Sequence, residues 1–437
     1  MDNRKKVGVI SLGCDKNRVD TEKMLSRLQE KFRLTANPEE AEIIVVNTCA
    51  FLNESRKEAI GEILDCARLK ECGKLEKLVV TGCLPQKFVK DLWDGLPEVD
   101  VFAGVSDYGE LADAIEKSYA GERLDIVGEP SAEPDFARVR TTENYAYLKI
   151  ADGCSNFCTY CLIPKIRGAY RSVAEEQLLA EARSLGRVKE LVLVAQDVTK
   201  YGADLAGGEN IVRLVQKLSA LDNVEKIRLL YCYPESVSEA LIDEIADNDK
   251  VVKYIDVPLQ HADDGVLKRM NRKGTYASYL ALVEKLKSRI PDIAVRSTFI
   301  AGFPDESEEA FSRLVKFLRE AELFNAGFFA YSKEEGTAAA RLKGQIPARI
   351  KAARVKKLYA VQKEIAAKLL AGMKGKILEV CVDAFEEVCW SGRAYCNAPT
   401  VDGKVYFTGA GEFGVGDTVK VKITGFEDYD LYGVLAE

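Results

Sequence analysis

Three cysteines in one short stretch, GCSNFCTYCLIPKIRG (153–168), carry the sharpest chemical signal in this 437-residue chain. Cys154, Cys158 and Cys161 follow the spacing C-x3-C-x2-C, just after a strand-like run. Three thiolates on a compact loop can each take one iron of a four-iron, four-sulfur (4Fe-4S) cube. Such cubes are ordinarily held by four cysteines. Three leave one iron without a protein ligand, and an open position is what separates a catalytic metal site from a closed structural one. The competing readings are a zinc knuckle and three incidental thiols. Zinc asks for four ligands, and neither a histidine nor a fourth cysteine lies nearby in sequence.

A second set is dispersed. Cys14, Cys49 and Cys83 stand 35 and 34 residues apart, in the runs VISLGC, VVNTC and VVTGC. Each falls within a few residues of the end of an expected strand. In a parallel sheet those ends share one edge, where ligands usually bind. Three distant cysteines can therefore converge on a second three-thiol site, again with an open position. The competing reading is three buried small hydrophobes. The other six cysteines, Cys66, Cys72, Cys232, Cys381, Cys389 and Cys396, share no geometry and read as structural thiols. His261, the sole histidine, follows a strand end in PLQHADD and reads as a hydrogen-bonding structural residue.

The elements that must position these residues fall into three regions, with boundaries expected at 1–130, 140–372 and 373–437. The first alternates strands (6–13, 42–48, 77–82, 99–105) with helical patterns, which implies an α/β domain on a parallel sheet. A Pro-, Ser- and charge-rich stretch, 128–142, reads as a linker. The second repeats the rhythm through NYAYLKI, ELVLVAQ, KIRLLYC, VKYIDVP, IAVRSTFI and NAGFFAYS. Six βα units suit a partial (β/α) barrel. A long helix over 347–372, Pro at its start and Gly at its end, closes this region, and its charged face reads as solvated. The third has short alternating runs between Gly, Asp and Asn turns, a small all-β barrel.

Composition bounds the chemistry. The length exceeds one ordinary core. No apolar run reaches the ~20 residues of a membrane span, and the N-terminus lacks the apolar stretch and cleavage site of a signal peptide. The expected location is the cytoplasm, where disulfides are rare and clustered cysteines bind metal or do redox work. The net charge of −7 argues against a protein living on nucleic acid, without ruling out a local basic groove. The C-terminal module is the most acidic part: residues 375–437 hold five basic and eleven acidic side chains. Such a surface repels phosphate and suits a basic partner.

The motif at 153–168 resembles the hallmark of the radical S-adenosylmethionine (SAM) superfamily, C-x3-C-x-(aromatic)-C, with Tyr160 in the aromatic place. The resemblance implies that SAM chelates the open iron and is cleaved to methionine and a 5'-deoxyadenosyl radical. It also implies a partial barrel. Gln196 (VAQD) and Gly302 (AGFP), at strand ends of the expected active face, join Tyr160 as candidate SAM contacts. The whole chain is similar to the radical SAM methylthiotransferases, which join an N-terminal three-cysteine domain, a radical SAM barrel and a C-terminal TRAM module. Among them it most resembles the RimO type, which modifies an aspartate of a small-subunit ribosomal protein near the decoding centre. The segments that carry this are SLGCDKNRVDTE, NTCAFL, AQDVTKYG, RLLYCYPE, DVPLQHADDGVLKRMNR, STFIAGFPDE, FAYSKEEGTAA and GRAYCNAPTVDGKVYF. One departure is Asp305 in GFPDE, where the family usually has a second Gly. The resemblance implies two 4Fe-4S clusters, SAM, a sulfur donor and an external electron donor. A methyl from one SAM goes to sulfur at the Cys14/Cys49/Cys83 cluster, and the radical from a second SAM abstracts hydrogen from the substrate carbon. An unactivated C–H bond is beyond acid–base chemistry, so a radical cofactor fits the task. Two alternatives stand beside it: methylthiolation of a tRNA adenosine, and a non-catalytic iron–sulfur or zinc protein that binds RNA.

Overall fold

The computed structural model describes residues 4–131 and 137–436, and for Cys72 the backbone alone. The expected linker 128–142 lies partly outside the described residues, as does the side chain of Cys72.

The N-terminal unit runs β1 (Lys6–Ser11), α1 (Asp15–Lys31), β2 (Arg33–Leu34), β3 (Ile43–Thr48), α2 (Asn53–Cys72), β4 (Lys77–Gly82), α3 (Cys83–Gly95), β5 (Val101–Phe102), α4 (Leu111–Ser118) and β6 (Leu124–Asp125). The six strands form one sheet in the order β2-β1-β3-β4-β5-β6, and every pairing is parallel. The central strand IIVVNT is buried throughout, as a strand covered by helices on both faces must be. The strand expected at 99–105 shortens to Val101–Phe102. Side chains take over the backbone donors there: Asp107 accepts from Gly104 N–H at 2.7 Å and Gln86 from Val105 N–H at 2.8 Å.

The central unit holds β7 (Tyr145–Lys149), β8 (Ala151–Asp152), α5 (Ile163–Ile166), β9 (Arg171–Ser172), α6 (Glu175–Ser184), β10 (Val188–Val194), α7 (Ile211–Ser219), β11 (Val224–Leu229), α8 (Glu239–Asp247), β12 (Tyr254–Asp256), α9 (Asp264–Arg269), α10 (Tyr276–Arg289), β13 (Ala294–Ala301), α11 (Glu308–Ala321), β14 (Asn325–Ala330) and α12 (Ala348–Ala371). Strands β7, β10 and β11 pair in parallel, as do β12, β13 and β14. An Ile227–Val251 bridge joins the two halves. The six strands thus follow chain order around an open barrel. One face of each packs on the helices through Leu148, Leu191, Leu193, Ile227, Leu229 and their neighbours.

The C-terminal strands β15 (Ile377–Glu386), β16 (Cys389–Arg393), β17 (Val405–Thr408), β18 (Thr418–Glu427) and β19 (Asp430–Leu435) close into a barrel ordered β15-β16-β17-β19-β18. This module seals the N-terminal ends of the central strands. Arg228 donates to Tyr395 O at 2.8 Å, Tyr254 hydroxyl to Asp402 at 2.7 Å, and Arg393 pairs with Glu190 at 2.9 Å. Tyr147, Val192, Val194, Tyr254 and Ala294 share one apolar cluster with Ala394, Cys396 and Ala398 of the module and with Val19 of α1.

The three regions are therefore not three separate cores. Leu162 and Ile166, from the segment after Cys161, are buried in the N-terminal core beside Val46, Ala50, Cys83 and Leu84. Ile166→Ala should cost about 2–5 kcal/mol, as large-to-small core changes do. The loss should appear in unfolding of the N-terminal unit, followed by Trp93 fluorescence in a Trp390→Phe background. An unchanged Trp93 transition would separate the two units again.

Candidate metal centres

The N-terminal triplet sits where three adjacent strands end. Cys14 caps α1, Cys49 follows β3 directly, and Cys83 opens α3. Gly13 and Gly82, the residues before Cys14 and Cys83, both have φ of 94°, a conformation that glycine supplies without strain. At Gly13 a Cβ would stand 2.7 Å from Cys49 Cβ and 3.2 Å from its Sγ, so the Cys14 turn needs this glycine to lie against Cys49. Asn17 locks the turn, donating to Leu12 O and Thr48 O at 3.0 Å each. The thiols sense one another. Burial pushes Cys49 up, and the neighbouring Cys14 adds to this. Burial pushes Cys83 to about 12, against the pull of Arg167 and with the push of Cys49 and Cys14. The convergence expected from strand ends is present.

The second triplet wraps a loop between β8 and α5. Cys154 N–H donates to Gly168 O at 3.1 Å and Cys161 N–H to Cys158 O at 3.0 Å, closing the loop on itself. Thr159 and Asn271 anchor it to the end of α9, through Thr159 Oγ1 to Arg269 O at 2.8 Å and Asn271 to Phe157 O at 3.0 Å. Cys161 Sγ accepts from Ile163 N–H at 3.4 Å. Burial raises Cys161 to about 12, with Cys158 and Cys154 adding to it. Tyr160 packs against the cluster of Val266, Met270, Phe303 and Tyr331. Its hydroxyl is raised by burial and by Cys158 beside it.

Among the described residues, no three of His, Cys, Asp or Glu close on a single metal-ion position. All-thiolate sets without imidazole or carboxylate favour iron–sulfur clusters or zinc. Buried thiols held high release their protons only when a metal takes them.

A buried charge network joins the N-terminal triplet to the residues flanking the second cysteine loop, and sequence patterning missed it. Arg167, 2% exposed, reaches Asp152 at 2.8 Å, Asp20 at 2.9 Å, Asn17 Oδ1 at 2.6 Å and Cys83 Sγ at 3.8 Å. Lys149 pairs with the same two carboxylates, reaching Asp152 at 3.2 Å. Burial pushes Asp152 up, but the Arg167 guanidinium and Lys149 ammonium outweigh it and hold its carboxyl well below the usual range. The available signal was positional: Asp20 lies on the face of α1 that carries Asn17, and Arg167 closes the cysteine motif.

The remaining candidates divide. Gln196 donates to Asp152 at 3.1 Å, and its buried Oε1 has no hydrogen-bond partner among the described residues, which leaves an acceptor free beside the network. Gly302 has φ of 75°, and a Cβ there would collide with Lys351 of α12, so packing alone accounts for it. His261 is fully buried; its Nδ1 accepts from Asp263 N–H at 2.9 Å, and its Nε2 lies 3.3 Å from Glu306, which also holds Gly302 N–H at 2.7 Å. It is structural, as expected. Asp305 adopts φ of 60°, the reason a glycine suits this place. Arg354 departs from the expected solvated face of α12: it is 6% exposed and pairs with Glu306 at 2.8 Å.

Removing one partner of a buried ion pair costs about 3–5 kcal/mol, so Arg167→Met should lower the thermal midpoint markedly. Asp152 ionises more easily folded than unfolded, so its contribution is whole above about pH 4 and lost as the pH falls below that. In Arg167→Met, acid unfolding should begin at higher pH. Unchanged thermal and acid midpoints would show that the network carries little.

Residues 6–104 match the Uncharacterized protein family UPF0004, residues 148–318 the Radical SAM superfamily and residues 375–435 the TRAM domain. The chain is 45% identical over 440 residues to the ribosomal protein uS12 methylthiotransferase RimO of Geobacter sulfurreducens, covering 98% of each chain. It is 44% identical over 437 residues to that of Clostridium tetani, covering 99% of this chain and 98% of the other. Among solved structures, it is similar in fold to the cobalamin-dependent SAM radical enzyme OxsB, with a TM-score of 0.53 and 13% identity. That match covers 83% of this chain and just over half of the other, 56%. The chain belongs to the radical SAM methylthiotransferase family, RimO type.

Proposed function

We propose that this enzyme adds a methylthio group to the β-carbon of an aspartate in ribosomal protein uS12. In this reading Cys154, Cys158 and Cys161 hold the SAM-binding cluster and Cys14, Cys49 and Cys83 hold the second. The observation that carries it is the pair of three-thiol sites on two domains, joined by Arg167. One site alone would name no transfer reaction. When bound, SAM and the two 4Fe-4S clusters supply the electron, the radical and an iron that can carry sulfur.

The chain's own residues do the rest. The loop bonds at Cys154 and Cys161 fix three thiols at the mouth of the barrel. Tyr160, beside Cys158, and Gln196, with its free acceptor, are the residues for the SAM side. Asn17, Asp20 and Arg167 set the distance between domains, so that an activated substrate carbon meets the sulfur without diffusing. Residues 1–130 serve the sulfur-bearing cluster, 140–372 the radical chemistry, and 373–437 the substrate. Electrons and sulfur come from outside donors, and the enzyme works in the cytoplasm. Among the described residues, no helix is long and apolar enough to cross a membrane.

The C-terminal module supports a protein substrate over tRNA. Asp383, Glu386, Asp402 and Asp428 are engaged in ion pairs, while Glu379, Glu387, Glu412 and Glu427 remain exposed. Phe385 and Val388 are exposed beside them, at 55% and 83%. Acidic side chains around an apolar patch suit a basic protein.

The test is anaerobic reconstitution of the triple variant C14A/C49A/C83A, incubated with SAM, reductant and uS12. SAM cleavage to 5'-deoxyadenosine should persist while uS12 gains no mass. Methylthiolated uS12 from the triple variant, or a wild-type enzyme that modifies tRNA instead, would overturn the reading.

A further inference from the structure

Among the described residues, the buried basic side chains nearest the two triplets pair with carboxylates, Lys16 excepted. Lys149 and Arg167 share Asp20 and Asp152, and Arg296 pairs with Asp256 at 2.8 Å. Lys16 lies in the first turn of α1, two residues past Cys14, and is 7% exposed. Its ammonium stands 3.4 Å from the centre of the Tyr231 ring. Among the described residues it makes no ion pair and no hydrogen bond. An aromatic face is a weak partner for an ammonium; the Lys16 stem is buried while its tip keeps contact with solvent, so the charge is open to a ligand.

Tyr231 is a fixed platform. It follows β11 at the barrel mouth with φ of 61°, a strained conformation for a bulky residue. Its hydroxyl donates to Asp15 at 3.0 Å, its N–H to Asp256 at 3.0 Å, and its carbonyl accepts from Val198 N–H at 3.1 Å. Of the two carboxylates it bonds, Asp256 is ion-paired with Arg296, while Asp15 accepts this hydroxyl and lies outside ion-pair distance of Lys16. Tyr231 also senses the charge of Cys14. Lys16 is thus held between the Cys14 triplet and the barrel mouth, with its positive charge unspent.

We infer that Lys16 receives the carboxylate of the substrate aspartate and so sets specificity for an acidic residue. This rests on the function proposed above. The carbon to be modified must lie between the two triplets, and in an aspartate it is one bond from the carboxylate. A desolvated carboxylate there needs a cation, and Lys16 is, among the described residues, a largely buried one with no carboxylate within ion-pair distance. A neutral nucleobase would leave it unmatched. SAM brings a carboxylate of its own, and the experiment separates the two sources.

Reconstituted wild-type, K16M and K16R enzymes are compared on uS12 and on uS12 with its target aspartate changed to asparagine. Binding of both proteins without reductant, by fluorescence anisotropy, gives a readout independent of turnover. The wild type should prefer the aspartate substrate. K16M should lose roughly 10- to 100-fold in kcat/KM on it, mainly through KM, the usual worth of a charge-assisted hydrogen bond. K16R should recover most of the loss. The Asp-to-Asn preference should collapse in K16M, and a ratio taken within one protein is insensitive to partial misfolding. The inference is overturned if K16M keeps that ratio, or if the rise in KM falls on SAM. A wild-type enzyme that leaves uS12 unmodified would instead sink the function on which the inference rests.

Discussion

The Arg167 guanidinium is the constraint on which the rest of this structure turns. It belongs to the cysteine loop of the barrel by sequence, yet it is buried against Asn17, Asp20 and Cys83 of the N-terminal unit. A charge taken out of water is tolerated only when its partners are in place. The domains must therefore dock in one geometry, or leave Arg167, Lys149, Asp20 and Asp152 mismatched in the interior. Radical chemistry needs such precision, because a carbon radical reacts with whatever it meets first. Leu162 and Ile166, buried in the N-terminal core, add an apolar anchor to the same docking.

The opposite end of the barrel is fixed by a different means. The C-terminal module places Ala394, Cys396, Ala398 and Asp402 against the N-terminal ends of the strands and gives partners to Arg228, Tyr254 and Arg296. An open barrel has unfilled interior polar groups at that end, and this module satisfies them. Closure leaves the module no free sheet edge, and one end of it is covered by the central barrel. The exposed acidic and aromatic side chains are what remain for a partner.

Much of this was legible in the sequence, and what was not has physical causes. Parallel strands buried on both faces read as apolar runs, so β3, β4 and the six barrel strands stand out. Cysteines just past strand ends exposed the dispersed triplet, because topology alone brings those ends together. The turns into β16 and β19 rest on Glu387 and Asp428, with φ of 56° and 51°, where no glycine marks the turn in the sequence. The Arg167 network was hidden for another reason. Its members come from α1, β7, β8 and the end of the cysteine loop, and no local pattern marks a charge as buried. The same holds for Lys16, whose meaning depends on Tyr231 more than two hundred residues away. Asp305 is the converse case: a departure in sequence that the backbone accommodates in the left-handed region.

The central claim is that two three-thiol sites each carry a cube with one open iron. Iron and acid-labile sulfide analysis of the anaerobically reconstituted enzyme tests it most directly. The account predicts about eight irons and about eight sulfides per chain, two complete cubes. About four irons, or zinc in place of iron at either triplet, would contradict it.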